Sequence, residues 1–377
     1  MSGAPISTPN LPPEEDDDEA MPRVAFTRRS ALLGGFFILS FVGFMYFVLP
    51  QITGLGETWR RIEHGDPLWL VAAAVFAMAS YFGQVWLFRV VFVRDGQQLS
   101  WHESYEVTLA GVAASRLFSP AGAGGLALAA WAMRRWGLER RVVATNLFAF
   151  LVLLYVVYDL ALIIGGFGLY LGVFSGPAPF AITVVPAVFG LIALTGTLLI
   201  ALVPKDVEVK LQHWSESEGH GFLARLLAKL ATVPASFGEG VRLAIRVLRG
   251  GERGIFGSLI WWGLSIATLW ACFHAFSHDT PPIAVIIVAF YVGMLGNVLP
   301  LPGGVGGVEG GMIGAFTAFG VDFGYATVAV LAYRAFSFWL PTIPGAVAYL
   351  QLRRTVARWR GERRKLRASE RPAAVNA

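Results

Sequence analysis

Three charged side chains stand inside apolar surroundings: Arg116, Glu309 and Arg334. An ionised group near the centre of a membrane helix costs about 2.5–3.5 kcal/mol on insertion scales, so each should face a partner or a wet cavity. Opposite charge makes Glu309 and Arg334 the expected pair. Glu309 also falls in the first turn after a Pro-Gly break, where free N–H groups stabilise a carboxylate, a purely structural alternative for the same residue. For Arg116 the alternative is snorkelling toward an interface. Asp159, beside Tyr155, Tyr158 and Leu160, is a possible proton or cation site, with a hydrogen bond to a neighbouring tyrosine as the plainer reading.

Two of these charges flank interruptions of unusual composition. Arg116 precedes Ser119-Pro120-Ala121-Gly122-Ala123-Gly124-Gly125, and Glu309 follows Asn297-Val298-Leu299-Pro300-Leu301-Pro302-Gly303-Gly304-Val305-Gly306-Gly307. Each break splits an apolar stretch into arms too short to cross about 30 Å of hydrocarbon easily at about 1.5 Å per residue. Broken backbone at membrane depth persists only where protein or a polar cavity satisfies its N–H and C=O groups. The second arm of each hairpin would then begin near the midplane, with its free N–H groups suited to an anion such as phosphate. Arg116, Pro120, Gly122, Gly124, Gly125, Asn297, Pro300, Pro302, Gly303, Gly304, Gly306, Gly307, Glu309 and Arg334 are therefore the expected substrate-binding set. Close helix packing by glycine is the bland alternative. A nucleotide loop is not expected, because no Gly-Lys-Ser/Thr follows either break.

The elements that must hold these residues are membrane helices. Of 377 residues, 55% are hydrophobic and 15% charged, and the mean hydropathy is +0.60, outside the range of an ordinary soluble domain. Near-continuous apolar runs exclude the alternating pattern of a transmembrane barrel. The expectation is an all-α polytopic bundle with six full spans, near residues 31–50, 67–92, 142–170, 180–203, 255–276 and 323–350. Pro341 and Pro344 should kink the last of these. Trp69, Trp86, Trp101, Trp136, Trp261, Trp262 and Trp339 fall near expected span ends or hairpin feet and suit an interfacial belt.

Charge sets the orientation. Residues 1–29 form an acidic and then basic tail, expected to be disordered and cytoplasmic. The transmembrane domain covers 30–352, with a cytoplasmic amphipathic insertion at 205–253, and a basic cytoplasmic tail occupies 353–377. Arginines flank the first broken hairpin, whereas Asp279 and Asp322 flank the second. The two hairpins should thus enter from opposite faces, as the halves of an inverted-topology repeat. A multi-pass protein of the plasma (inner) membrane with both termini cytoplasmic satisfies the positive-inside pattern.

The single cysteine, Cys272, cannot make an intrachain disulfide, and no Cys/His cluster has metal-ligand spacing, so neither a metal nor a cofactor is expected. The basic residues gather beside apolar spans, which points to anionic lipid and away from nucleic acid.

Asn297 through Gly310, followed by Ala332-Tyr333-Arg334 and Phe338-Trp339-Leu340-Pro341, resembles the flippase-like membrane family that includes the membrane region of lysylphosphatidylglycerol synthases. Ser119 through Leu128, with Arg134-Arg135 and Gly137, resembles that family's first motif; many members carry an acidic residue and an arginine where this chain has Leu126, Ala127 and Leu128. The resemblance covers roughly residues 31–352. It implies movement of lipids, aminoacylated phospholipids or lipid-linked sugars between leaflets, and it marks Glu309 and Arg334 as functional candidates. No large soluble aminoacyl-transfer domain follows Leu352 in this sequence, so synthase activity is not expected.

The leading expectation is a flippase-like carrier of an anionic phospholipid or lipid-linked headgroup. Its rivals are a non-transporting membrane subunit or scaffold that docks cytoplasmic or membrane partner proteins, and an intramembrane transferase using a lipid-linked donor. Scattered membrane acids, with no Ser/His/Asp set, argue against the transferase.

Overall fold

The computed structural model describes residues 65–93, 99–118, 123–202, 235–251, 254–276, 279–298 and 304–375. All the regular structure among them is helical. Helix α1 (Pro67–Phe92) starts where sequence says a helix should: the Asp66 carboxylate accepts the Leu68 N–H, and proline takes the first helical position. Helices α2 (Trp101–Phe118) and α3 (Ala123–Trp136) follow, then the long α4 (Arg140–Tyr170) and α5 (Phe180–Leu202). A shorter α6 (Ala235–Arg249) leads into α7 (Gly254–Phe276). Helix α8 (Ile283–Met294) tightens into a 3-10 turn (Leu295–Val298) before α9 (Gly307–Ala318). Helix α10 (Phe323–Arg334) passes through a π-helical turn (Ala335–Trp339) into α11 (Thr342–Val375).

Five of these segments are long and apolar enough to cross a membrane: Pro67–Phe92, Arg140–Tyr170, Phe180–Ala201, Gly254–Phe276 and the π-interrupted Phe323–Glu362. They coincide with five of the six spans expected from sequence. The sixth, at 31–50, lies outside the described residues, as do the tail at 1–29 and the 205–234 part of the amphipathic insertion.

Helices α1 and α7 run antiparallel along their whole length. The Asp66 N–H donates to the Ala275 carbonyl at one end, and Gly254 sits against Val90 at the other. Between them Gly83 and Gly257 meet reciprocally, and a Cβ on either would strike the other helix's backbone. Such small-residue crossings let dispersion act between backbones where lipid gives no hydrophobic drive. Helix α4 joins this pair through buried polar tips of α7 aimed at its carbonyls, Trp262 Nε1 donating to Leu154 O at 2.8 Å and Ser258 Oγ to Leu153 O at 2.7 Å, and its own Tyr158 OH donates to Tyr291 O of α8 at 2.8 Å. Trp262 is therefore buried in an aromatic cluster with Tyr158, Phe290 and Tyr291 rather than lying in an interfacial belt. Trp136 is buried as well.

The described part of the amphipathic insertion, α6, buries Val241, Leu243, Ala244 and Val247. Gly240 lies against Phe148 and Thr145 of α4, and Arg141 pairs with Glu239 at 2.5 Å. Helix α5, by contrast, leaves Val185, Ile192 and Leu199 exposed, as a lipid-facing helix would.

Two pairs of short helices start from opposite ends of this bundle. Helix α2 begins beside the last turn of α1, where Arg89 Nη1 donates to Leu99 O at 2.6 Å and to Ser104 Oγ at 3.0 Å. Helix α3 returns along it, with Gly125 against the Gly111 carbonyl. Helix α8 begins at the other end, where Pro282 and Val285 meet Gly176 in the α4–α5 turn. Its return partner α9 lies so close that Gly296 abuts the Gly307 backbone and Gly311 abuts Gly293.

Candidate functional site

The last apolar segment bends where its sequence removes backbone donors. A straight α-helix would use the N–H of residue 341 to satisfy the Ser337 carbonyl, but residue 341 is proline. The helix widens to π geometry, with Leu340 N–H reaching Ala335 O at 3.1 Å. The kink expected from Pro341 and Pro344 is thus present, and it leaves carbonyls looking for partners.

Arg116, from the end of α2, supplies them. Its Nη2 donates to Ser337 O at 2.8 Å and to the Tyr81 hydroxyl, and its Nη1 donates to Phe338 O at 2.5 Å and reaches Thr342 Oγ1 at 3.5 Å. The Tyr81 hydroxyl in turn donates to Ser337 O at 3.3 Å. Arg116 is not snorkelling: it ties α2, the middle of α1 and the bend of the last helix into one joint.

Immediately before that π-helical turn, Arg334 is buried and places Nε 2.6 Å from Glu309 Oε1. The second carboxylate oxygen of Glu309 accepts the Gly306 N–H at 2.7 Å. Both readings of Glu309 therefore hold together: it pairs with Arg334 and caps the first turn of α9. Gly306 adopts φ +85°, a left-handed conformation open to glycine, and this delivers its N–H to the carboxylate. At 6% and 9% exposure, Glu309 and Arg334 are out of water, so removing one leaves an uncompensated charge.

The ring of Phe338 connects the two halves. Arg116 Cζ lies 5.0 Å and Arg334 Cζ 4.7 Å from its centroid, within cation–π range. Tyr81 has Arg116 Cζ 5.7 Å from its own ring. Two guanidinium groups thus share one aromatic neighbour, and one of them, Arg334, is paired with a carboxylate. The planar arginine fork suits bidentate pairing with carboxylate or phosphate oxygens, which fits the sign of this cluster.

The remaining candidates are placed as follows. Gly125 donates its N–H to Ser115 Oγ at 2.9 Å, and Gly124 lies beside it in the first turn of α3. Asn297 is exposed, and its amide occupies the space that a Cβ at Gly304 would need. Gly307 packs against Gly296 as described. Pro120, Gly122, Pro300, Pro302 and Gly303 lie outside the described residues. Asp159 is half-buried in α4, apart from this cluster; its neighbour Tyr158 gives its hydroxyl hydrogen to Tyr291 O and not to the carboxylate. Among the described residues no group of three His, Cys, Asp or Glu side chains could hold a metal ion.

Sequence reasoning did not single out Tyr81, Ser337 or Thr342, and it named Phe338 only as part of a motif. It also passed over a second polar cluster at the foot of α2. There Glu103 accepts hydrogen bonds from Ser100 N–H at 2.9 Å, Arg358 Nη2 at 2.7 Å and Trp359 Nε1 at 2.9 Å, fastening α2 to α11. Beside it Glu106 is buried and pairs with the exposed His102 at 3.1 Å. Burial works against the Glu103 charge, but the Ser100 and Trp359 hydrogen bonds and the Arg358 cation outweigh it and hold the carboxyl below its ordinary range.

The family described as the lysylphosphatidylglycerol synthase TM region matches residues 31–345. Among curated proteins, the chain is similar to a UPF0104 membrane protein of Methanothermobacter thermautotrophicus, 30% identical over 194 residues that cover 47% of this chain and 57% of that protein. A second match to a UPF0104 membrane protein of the same organism is 35% identical over 113 residues, covering 30% of this chain and 32% of the relative. The aligned part of this chain spans less than two thirds of these relatives' own length.

Proposed function

The chain belongs to the family of lysylphosphatidylglycerol synthase transmembrane regions, and from that premise we propose that it carries an anionic lipid headgroup between the leaflets of a membrane. One observation carries the reading. Arg116 near the end of one short helix pair and Glu309 near the turn of the other converge, from opposite ends of the bundle, on the bend that holds Arg334 and Phe338. In this reading both pairs are re-entrant hairpins of an inverted repeat, and the convergence point lies near mid-depth. A phosphate, from an anionic phospholipid or a lipid-linked sugar, engages Arg116 and Arg334 there. Alternating access follows from rocking one hairpin and its spans against the other. The membrane is the plasma (inner) membrane, with both termini on the cytoplasmic side, as the arginine distribution favours.

Headgroup flipping measured in vesicles with the purified chain tests this. The charge-neutral double Glu309→Gln/Arg334→Ala, which leaves no unpaired buried charge, should abolish transport while a folded, monodisperse protein is retained; an unchanged rate in the folded variant would remove the site.

A second reading has its own support. Helix α11 continues beyond the apolar segment, with Arg353, Arg354, Arg358 and Lys365 exposed, and this basic rod could dock an acidic partner protein in a non-transporting subunit. A partner that co-purifies with the chain, but is lost when these four residues are made neutral, would favour it.

A further inference from the structure

Beside the arginine cluster, the bent stretch forms an apolar groove of about 740 Å³ lined by Phe336, Trp339, Leu340, Thr342, Ile343 and Val347, among others. The groove runs along one side of the bend, and Trp339, Ile343 and Val347 are 42%, 68% and 51% exposed. Its one polar lining side chain is Thr342, whose hydroxyl donates to Phe338 O at 2.7 Å and lies 3.5 Å from Arg116 Nη1. The Arg116 and Arg334 guanidinium groups thus flank the ring of Phe338 while an apolar trough runs along residues 335–347, with Thr342 linking the two.

We propose that this groove is the binding site for one acyl chain of the phospholipid whose phosphate the arginines receive. The charge pattern selects this occupant. A cationic cluster that abuts an apolar trough matches a molecule with an anionic head joined to a hydrocarbon tail, and neither a free anion nor a neutral lipid satisfies both parts. Burying methylene groups against Trp339, Ile343 and Val347 adds dispersion contacts that a freely moving chain in bulk lipid makes less regularly. The inference rests on the lipid-carrier reading and adds to it that the substrate is recognised through its tail as well as its headgroup.

The test uses the full chain in nanodiscs containing phosphatidylglycerol with a photoreactive group in one acyl chain. Labelled peptides should concentrate at residues 336–347, and excess unlabelled phosphatidylglycerol should compete about tenfold better than diacylglycerol. Ala346→Phe, which fills the trough, should lower labelling there severalfold while labelling elsewhere is kept. Labelling spread evenly over exposed apolar faces such as Ile192 and Leu199 would overturn the proposal. So would a disulfide forming readily between Ile343→Cys and a cysteine placed within residues 31–50, which would make that segment the occupant. Should Ala346→Phe fail to fold, the wild-type competition alone decides. Focused, headgroup-dependent labelling without any transport would keep the groove and remove the carrier reading; transport that needs Arg334 but is indifferent to a folded Ala346→Phe, with even labelling, would do the reverse.

Discussion

Arg116 Nη1 lies 2.5 Å from the carbonyl oxygen of Phe338, 222 residues further along the chain. A side chain from one short helix thus takes over hydrogen-bond duty in a backbone where Pro341 has removed a donor. Carbonyls buried in lipid-like surroundings without a partner cost several kcal/mol, so the bend and the arginine depend on each other.

Arg116→Ala should destabilise the protein by about 1–3 kcal/mol, because the Ser337 and Phe338 carbonyls keep the Tyr81 and Thr342 hydroxyls but lose their charge-assisted hydrogen bonds. Pro341→Ala returns an N–H to the neighbourhood of Ser337 O. Combined with Arg116→Ala, it should recover part of the loss. Thermal unfolding in detergent, followed for both singles and the double, reads this coupling; strictly additive shifts would mean that the proline and the arginine do not serve the same carbonyl.

For the buried pair, Arg334→Ala should cost about 3–5 kcal/mol by leaving Glu309 charged and alone. Glu309→Gln should be milder, since an amide oxygen can still accept the Gly306 N–H. The double variant Glu309→Gln/Arg334→Ala should be more stable than Arg334→Ala alone. If it is less stable, the ion pair is not the reason that Arg334 matters.

Glycine packing gives a paired contrast within one helix. Gly257→Ala drives a methyl into the α1 backbone at Gly83 and Leu87, whereas Gly263→Ala meets nothing within 4 Å. The first should lower the yield of folded protein or its unfolding temperature sharply. The second should be neutral or slightly stabilising, by up to about 1 kcal/mol from helix propensity. Equal behaviour would contradict the close α1–α7 crossing.

Acid should loosen the foot of α2. The Glu103 carboxyl is held below its ordinary value in the folded protein, so its stabilising contribution is present above the unfolded carboxylate pKa of about 4.3 and is lost as pH falls through the folded value. The unfolding temperature of the wild type should fall more steeply below about pH 4.3 than that of Glu103→Gln, and the two curves should converge in acid. Parallel curves would show that the Arg358 and Trp359 contacts do not depend on this charge.

These relationships divide by how much of their cause lies in local sequence. Glu309 and Arg334 could be paired from the sequence because opposite charges in an apolar chain have few other places to go. The helix ends at Asp66 and Asp322, and the kink before Pro341, follow from capping and missing donors within a few residues. Tyr81 carried no such mark: a tyrosine in an apolar span is common, and its tie to Ser337 spans 256 residues. The carbonyls of Ser337 and Phe338 belong to the backbone, so no side-chain pattern names them. Trp262 looked interfacial by position along its span, but its indole found the Leu154 carbonyl across a helix contact that only the packed structure defines. Arg116 was found as a charge that should face a partner, with snorkelling as the alternative, but the partners it meets are backbone carbonyls of a distant helix that no side-chain pattern announces.

Helix α11 begins at the bend and continues for 34 residues, a rigid arm of about 50 Å. A rotation of a few degrees at its root would sweep its distant tip through several ångströms. Glu103 grips this arm part-way along, at Arg358 and Trp359, so that contact acts as the fulcrum. A tilt of α11 at Phe338 would therefore be read out as displacement at its far end.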